Sequence, residues 1–119
     1  NEFSSPELPA VLFPPEDPVA LGRQVIQNYP CSGCHTLPDL GWTGVTGPSL
    51  DGIGERMQRL AATGSASIED YIHNSIRHPG EYIVPGYSAV MPQFNDEASE
   101  ANYMSEDDLT AIIAYLLTQ

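Results

Sequence analysis

Apolar residues recur at helical spacing in four separate segments, each bracketed by residues that start or stop helices. In "DPVALGRQVIQNY", Asp17 suits a cap and Pro18 the first helical position, where its missing N–H is no loss. Val19, Val25 and Ile26 are the apolar positions and Pro30 closes the run, which predicts a helix over residues 18–28. "GERMQRLAAT" predicts a short second helix with Ile53, Met57, Leu60 and Ala61 on one face and Gly64 as its stop. "SIEDYIHNSIRHPG" opens on a capping pattern, Ser67 followed by Asp70, and places Ile68, Tyr71, Ile72 and Ile76 together. The last helix repeats that start at Ser105 and Asp108, with acids in a first turn that favours them. Its apolar stripe is Leu109, Ile112, Ile113 and Leu116.

The connections are unusually long. Residues 36–54 are rich in Gly, Pro and Thr, residues 79–95 are punctuated by Pro and Gly, and loops of that length in a small domain are commonly functional. "EYIVPGY" is the most strand-like run, but Pro85 and Gly86 interrupt it. Residues 1–16 carry four prolines and read as an extended arm or linker end, leaving 17–119 as the folded domain. The expectation is an all-α domain of three to four short helices, whose long loops need something to pack against.

Composition narrows the field. A chain of 119 residues, 41% hydrophobic, is one domain with a small core, so a cofactor adding apolar volume would help it. The most apolar run, "AIIAYLL" at 111–117, is far below the roughly 20 residues a membrane helix needs. Sixteen acidic residues against four arginines and no lysine give a net charge of −12. That excludes a phosphate-binding footprint, and with it nucleic acid, and it favours a basic partner face or plain solubility. The chain opens at Asn1 without a secretory leader, as expected of a mature or trimmed chain.

Chemistry concentrates in "NYPCSGCHTLP", where Cys31, Cys34 and His35 form a Cys-x-x-Cys-His motif. A thioredoxin-like redox pair lacks its βαβ surroundings. A zinc site lacks further ligands at tight spacing, since only His73 and His78 remain. A small disulfide loop gives the adjacent imidazole no purpose. Covalent haem c attachment uses all three groups: two thiols for the porphyrin and an imidazole for the iron. A second ligand is then expected downstream, and Met91 in "YSAVMPQF" is the leading candidate. Met57 reads as core filler, Met104 as a staple before the last helix, His73 as solvated, and His78 as a helix-end residue.

Over residues 17–119 the chain resembles class I c-type cytochromes, which are single-haem electron carriers. The resemblance rests on "CSGCH", "TGPSLDGIGER", "HPGEYIVPGYSAVMP" and "LTAIIAYLL". It implies His35 as proximal and Met91 as distal ligand, and the Pro48 carbonyl as acceptor for the His35 ring. It also implies Arg56 beside a propionate, Trp42 in a similar role or in ordinary packing, and Tyr82 in the distal loop. The terminal helix would cross the first near a right angle, with Gly22 admitting Ile112 and Tyr115. The sequence departs from the family in the Ile26-to-Cys31 spacing and in the lengthened "GYSAV" stretch before Met91. Two further departures bear on the methionine sulfur and the partner. Ser75 stands where a tyrosine often bonds the methionine sulfur, leaving Tyr71 or Tyr87 as substitutes, and the ring of docking lysines is absent.

The distal segment looks most like cytochrome c domains associated with bacterial haem–copper oxidases or allied respiratory subunits. The resemblance therefore implies electron transfer between respiratory or photosynthetic complexes, from a quinol-oxidising complex or other donor to a terminal oxidase or other acceptor. Either an excised domain of a membrane-anchored protein or a free or lipid-anchored shuttle fits, on the periplasmic side. The rival reading is a haem enzyme or gas sensor with a displaceable sixth ligand.

Overall fold

Helix α1 (Pro18–Ile26) begins where the carboxylate of Asp17 accepts the Val19 N–H at 3.1 Å. The computed structural model describes residues 17–63 and 67–119, so the Pro-rich arm and the Gly64 stop lie outside the described residues. Helix α1 ends two residues before the predicted limit. The N–H groups of Asn28 and Tyr29 turn back to the carbonyls of Val25 and Ile26, three residues upstream, which tightens the chain into non-helical turns.

A 3₁₀ turn (Pro30–Gly33) follows, and then two short strands, β1 (Thr36–Leu37) and β2 (Trp42–Thr43). They pair antiparallel, Thr36 with Thr43 and Leu37 with Trp42, around a 3₁₀ turn (Pro38–Leu40) and Gly41 at φ 71°. The stretch expected to be wholly loop therefore contains a hairpin. Two residues per strand are too few for alternation to register in a sequence pattern.

Helices α2 (Ile53–Ala62), α3 (Ile68–Arg77) and α4 (Glu106–Leu116) complete the described elements. The caps form as expected: Ser67 accepts from the Asp70 N–H and Ser105 from the Asp108 N–H, both at 3.1 Å. "EYIVPGY" forms turns and no strand.

The most extensive helix contact is between α1 and α4. Gly22 makes it: a Cβ there would lie 1.8 Å from the Ala111 carbonyl oxygen and 2.8 Å from Tyr115 Cβ. The expected partner Ile112 instead points into the core, 1% exposed, and the Ala111 backbone takes its place against the glycine.

Polar ties hold the same layers together. Tyr115 Oη donates to Asp39 Oδ2 at 2.5 Å, and the Arg23 guanidinium reaches both that carboxylate and the Asp39 carbonyl at 2.9 Å. Asp39 sits below the usual carboxylate range because Tyr115 and then Arg23 bond its charged form, while burial and Asp39 push the Tyr115 phenol up. Tyr29 Oη donates to Asp108 Oδ2 at 2.6 Å, so α4 is bonded to both flanks of the Cys-containing turn.

Arg77, the last residue of α3, is buried at 7% exposure, which no pattern on that helix predicts. Its guanidinium bonds the Met104 and Phe94 carbonyls and the Glu106 carboxylate. His73, expected to be solvated, also bonds Glu106, at 2.9 Å.

Candidate functional site

The site begins with the coil of residues 30–35. The N–H groups of Cys34 and His35 both bond the Cys31 carbonyl, at 3.2 and 3.0 Å, so one short turn carries both thiols and the imidazole. The thiols are free, and burial pushes that of Cys31 up to about 11. Residues 44–50 then fold back over His35. Gly47 N–H bonds the Cys34 carbonyl at 2.7 Å, Leu50 N–H bonds the Thr36 carbonyl at 2.8 Å, and Thr36 Oγ1 donates to the Gly44 carbonyl at 2.6 Å.

This fold-back brings the Pro48 carbonyl to 2.6 Å from His35 Nδ1. A carbonyl oxygen can only accept, so Nδ1 carries the proton and the lone pair sits on Nε2. The ring lies flush against Gly47, where a Cβ would fall 2.7 Å from Cε1. Only glycine lets the loop pass that close.

Cys31, Cys34, His35 and Pro48 share a cavity of about 250 Å³ with Met91, which enters from the loop between α3 and α4. Its walls are almost wholly apolar. Ile26, Leu50, Ile53, Ile76, Phe94 and Ile112 come from both halves of the chain, and Tyr82, Ile83 and Tyr87 stand exposed beside it. Among the described residues no three His, Cys, Asp or Glu side chains are grouped so as to hold a metal ion by themselves, and the two thiols and the imidazole instead line an apolar cavity together. Two thiols at one edge, an imidazole with a free Nε2, a thioether and an apolar wall fit a porphyrin held at its rim and through its metal.

The remaining expected residues divide. Arg56 lines the cavity, with Nη1 donating to the Asp51 carbonyl at 2.6 Å and Nη2 to that of Ser49. It thereby braces the loop after Pro48 and keeps three further N–H donors. Tyr82 lines the cavity at 57% exposure. Trp42 is not brought there. In the β1–β2 register it stands beside fully buried Leu37 and packs on the core, the ordinary role. Ser75 reaches the cavity, but its hydroxyl donates to the Tyr71 carbonyl at 2.8 Å. Of the two tyrosines offered in its place, Tyr87 lines the cavity and Tyr71 does not.

Met57 and Met104 line the cavity as well, Met104 at 1% exposure as a core residue and not only a staple. The sequence signal was helical phase for Met57 and the position before the α4 cap for Met104, and each marks burial without saying what the side chain faces.

The chain matches the family model described as cytochrome c over residues 19–119. It is also similar to the cytochrome c oxidase subunit 2 of Alkalihalophilus pseudofirmus, 34% identical over 100 residues. That alignment covers 80% of this chain and 24% of the relative, so the chain spans about a quarter of the relative's length.

Proposed function

The chain belongs to the cytochrome c family, and from that premise we propose a single-haem electron-transfer protein or domain, in which Cys31 and Cys34 would hold the haem covalently and His35 and Met91 would ligate its iron. The observation that carries this reading is the gathering of both thiols, the Pro48-held imidazole and Met91 on one apolar cavity. Haem c in that cavity supplies a one-electron Fe(II)/Fe(III) couple with no bond made or broken in a substrate.

The chain's own residues do the rest. Pro48 fixes the tautomer and orientation of the His35 ring, which keeps the Nε2 lone pair available in both redox states. The apolar walls exclude water and disfavour the extra positive charge of the oxidised state, which raises the reduction potential. Residues 82–94, many of which line the cavity, contain no charged side chain in a chain of net charge −12. Tyr82, Ile83, Tyr87 and Val90 are exposed among them.

The oxidase-subunit relative supports a terminal oxidase as the acceptor class, and a quinol-oxidising complex is the donor class of this reading. On this reading the domain works on the extracytoplasmic side of a bacterial membrane. No helix among the described residues is long and apolar enough to cross one.

Spectroscopy of the purified protein tests the assignment. The haem should resist acid-acetone extraction, and the ferric protein should show a sulfur-to-iron charge-transfer band that Met91→Ala abolishes while lowering the potential. Extractable haem, or ready carbon monoxide binding by the unmutated ferrous protein, would refute it.

A further inference from the structure

The loop that carries Met91 runs from residue 78 to 105, and its two sides are held very differently. Upstream of Met91 the backbone bonds close only local turns: Glu81 to His78, Tyr87 to Val84 and Val90 to Ser88. Downstream, two residues past Met91, Pro92 and Gln93 give way to Phe94, which is pinned on every side. Its N–H bonds the Ile76 carbonyl at 3.3 Å, its carbonyl accepts from Arg77 Nη1 at 3.3 Å, and its ring meets Tyr29 edge-on at 6.0 Å. The same Nη1 donates to the Met104 carbonyl at 2.7 Å, and Nη2 pairs with Glu106 Oε1 at 3.0 Å. One buried guanidinium thus joins the end of α3, the segment just after Met91 and the start of α4.

We infer that Arg77 is a positioning residue for the Met91 thioether, an inference that rests on the haem reading above. Arg77 lines no part of the cavity and acts through Phe94. Pro92, with its ring-locked φ, stiffens the short link between the pinned residue and Met91. The upstream flank is tied back to α3 only at Glu81, whose carboxylate accepts from Asn74 Nδ2 at 2.8 Å. With residues 82–90 hydrogen-bonded only among themselves, the downstream anchor just beyond Pro92 and Gln93 carries the placement of the sulfur. Arginine suits the task because its planar fork serves two carbonyls and a carboxylate at once.

The test compares two melts of the haem-loaded protein: loss of the ferric sulfur-to-iron band and loss of far-UV helicity. Arg77→Met should bleach the band well below the temperature at which the helices melt, widening the gap found in the unmutated protein. The ferrous variant should also bind carbon monoxide about tenfold faster, the scale of releasing a charge-assisted hydrogen bond. A purely structural role would move both melts together and leave the gap unchanged. That result, or an unaltered band with unaltered carbon monoxide binding, overturns the inference.

Where Arg77→Met yields no folded protein, Arg77→Lys decides by the same two melts. Its single ammonium keeps the charge but lacks the planar fork, so the gap should again widen. Absence of the band from the unmutated protein would instead overturn the ligand reading beneath, and it is seen before any variant is made.

Discussion

Gly22→Ala probes the contact on which the α1–α4 layer depends. The added methyl would sit 1.8 Å from the Ala111 carbonyl oxygen, where ordinary contact begins at 3.4 Å, so the helices must part by about 1.6 Å. The obstacle is backbone on a packed helix, which cannot rotate away, so the penalty belongs near the top of the overpacking range, about 3 kcal/mol. Alanine in a helix interior returns about 1 kcal/mol against glycine, leaving a net loss of about 2 kcal/mol. In a domain of this size that lowers the melting temperature by about 8–10 °C. Far-UV circular dichroism melts of the haem-loaded protein read it, with Gln24→Ala on the exposed side of α1 as the control that should not lose stability. A Gly22→Ala melt equal to or above the unmutated one would show that close crossing does not determine this interface.

Three further outcomes follow from particular contacts. Asp39 and Glu106 are held below their ordinary range, Asp39 by Tyr115 and Arg23, Glu106 by Arg77 and then His73. Their stabilisation is full above the unfolded value of about 4 and is lost as pH falls through the lower folded value, so urea midpoints should drop on that acid limb. Asp39→Asn and Glu106→Gln should each flatten the limb, and unchanged limbs would contradict the pairing. Gly47→Ala drives a methyl into the His35 ring, where Cβ would meet Cε1 at 2.7 Å, and should destabilise by about 1–3 kcal/mol and shift the potential. Gly33→Ala, with nothing within 4 Å, should do neither. Met104→Ala removes a side chain only 1% exposed and should cost about 3 kcal/mol while the charge-transfer band persists; loss of the band would make Met104 a rival to Met91.

Much of the architecture was readable along the chain because its causes are local. Asp17, Ser67 and Ser105 cap helices within two or three residues of themselves, and each bond forms as the spacing predicts. The Cys31–His35 motif is local too, closed by bonds to a single carbonyl. The motif itself called for a second ligand and pointed to Met91, resemblance added Pro48, and the fold brings both to the same cavity as His35. Trp42 shows the limit: the same resemblance left it between cavity and core, and only the register of a two-residue hairpin decided for the core.

By itself, then, the sequence determined where helices start, which faces they bury, and which short motif holds the reactive groups. Capping and periodicity act over a few residues and need no distant partner. Only the tertiary structure decided that Gly22 meets the Ala111 backbone, that Asp39 accepts from Tyr115 across 76 residues, and that Arg77 is buried with three hydrogen bonds to its guanidinium. Such choices turn on which groups become neighbours once water is removed. A charged residue at a helix end looks solvated until the carbonyls of Phe94 and Met104 arrive to satisfy it.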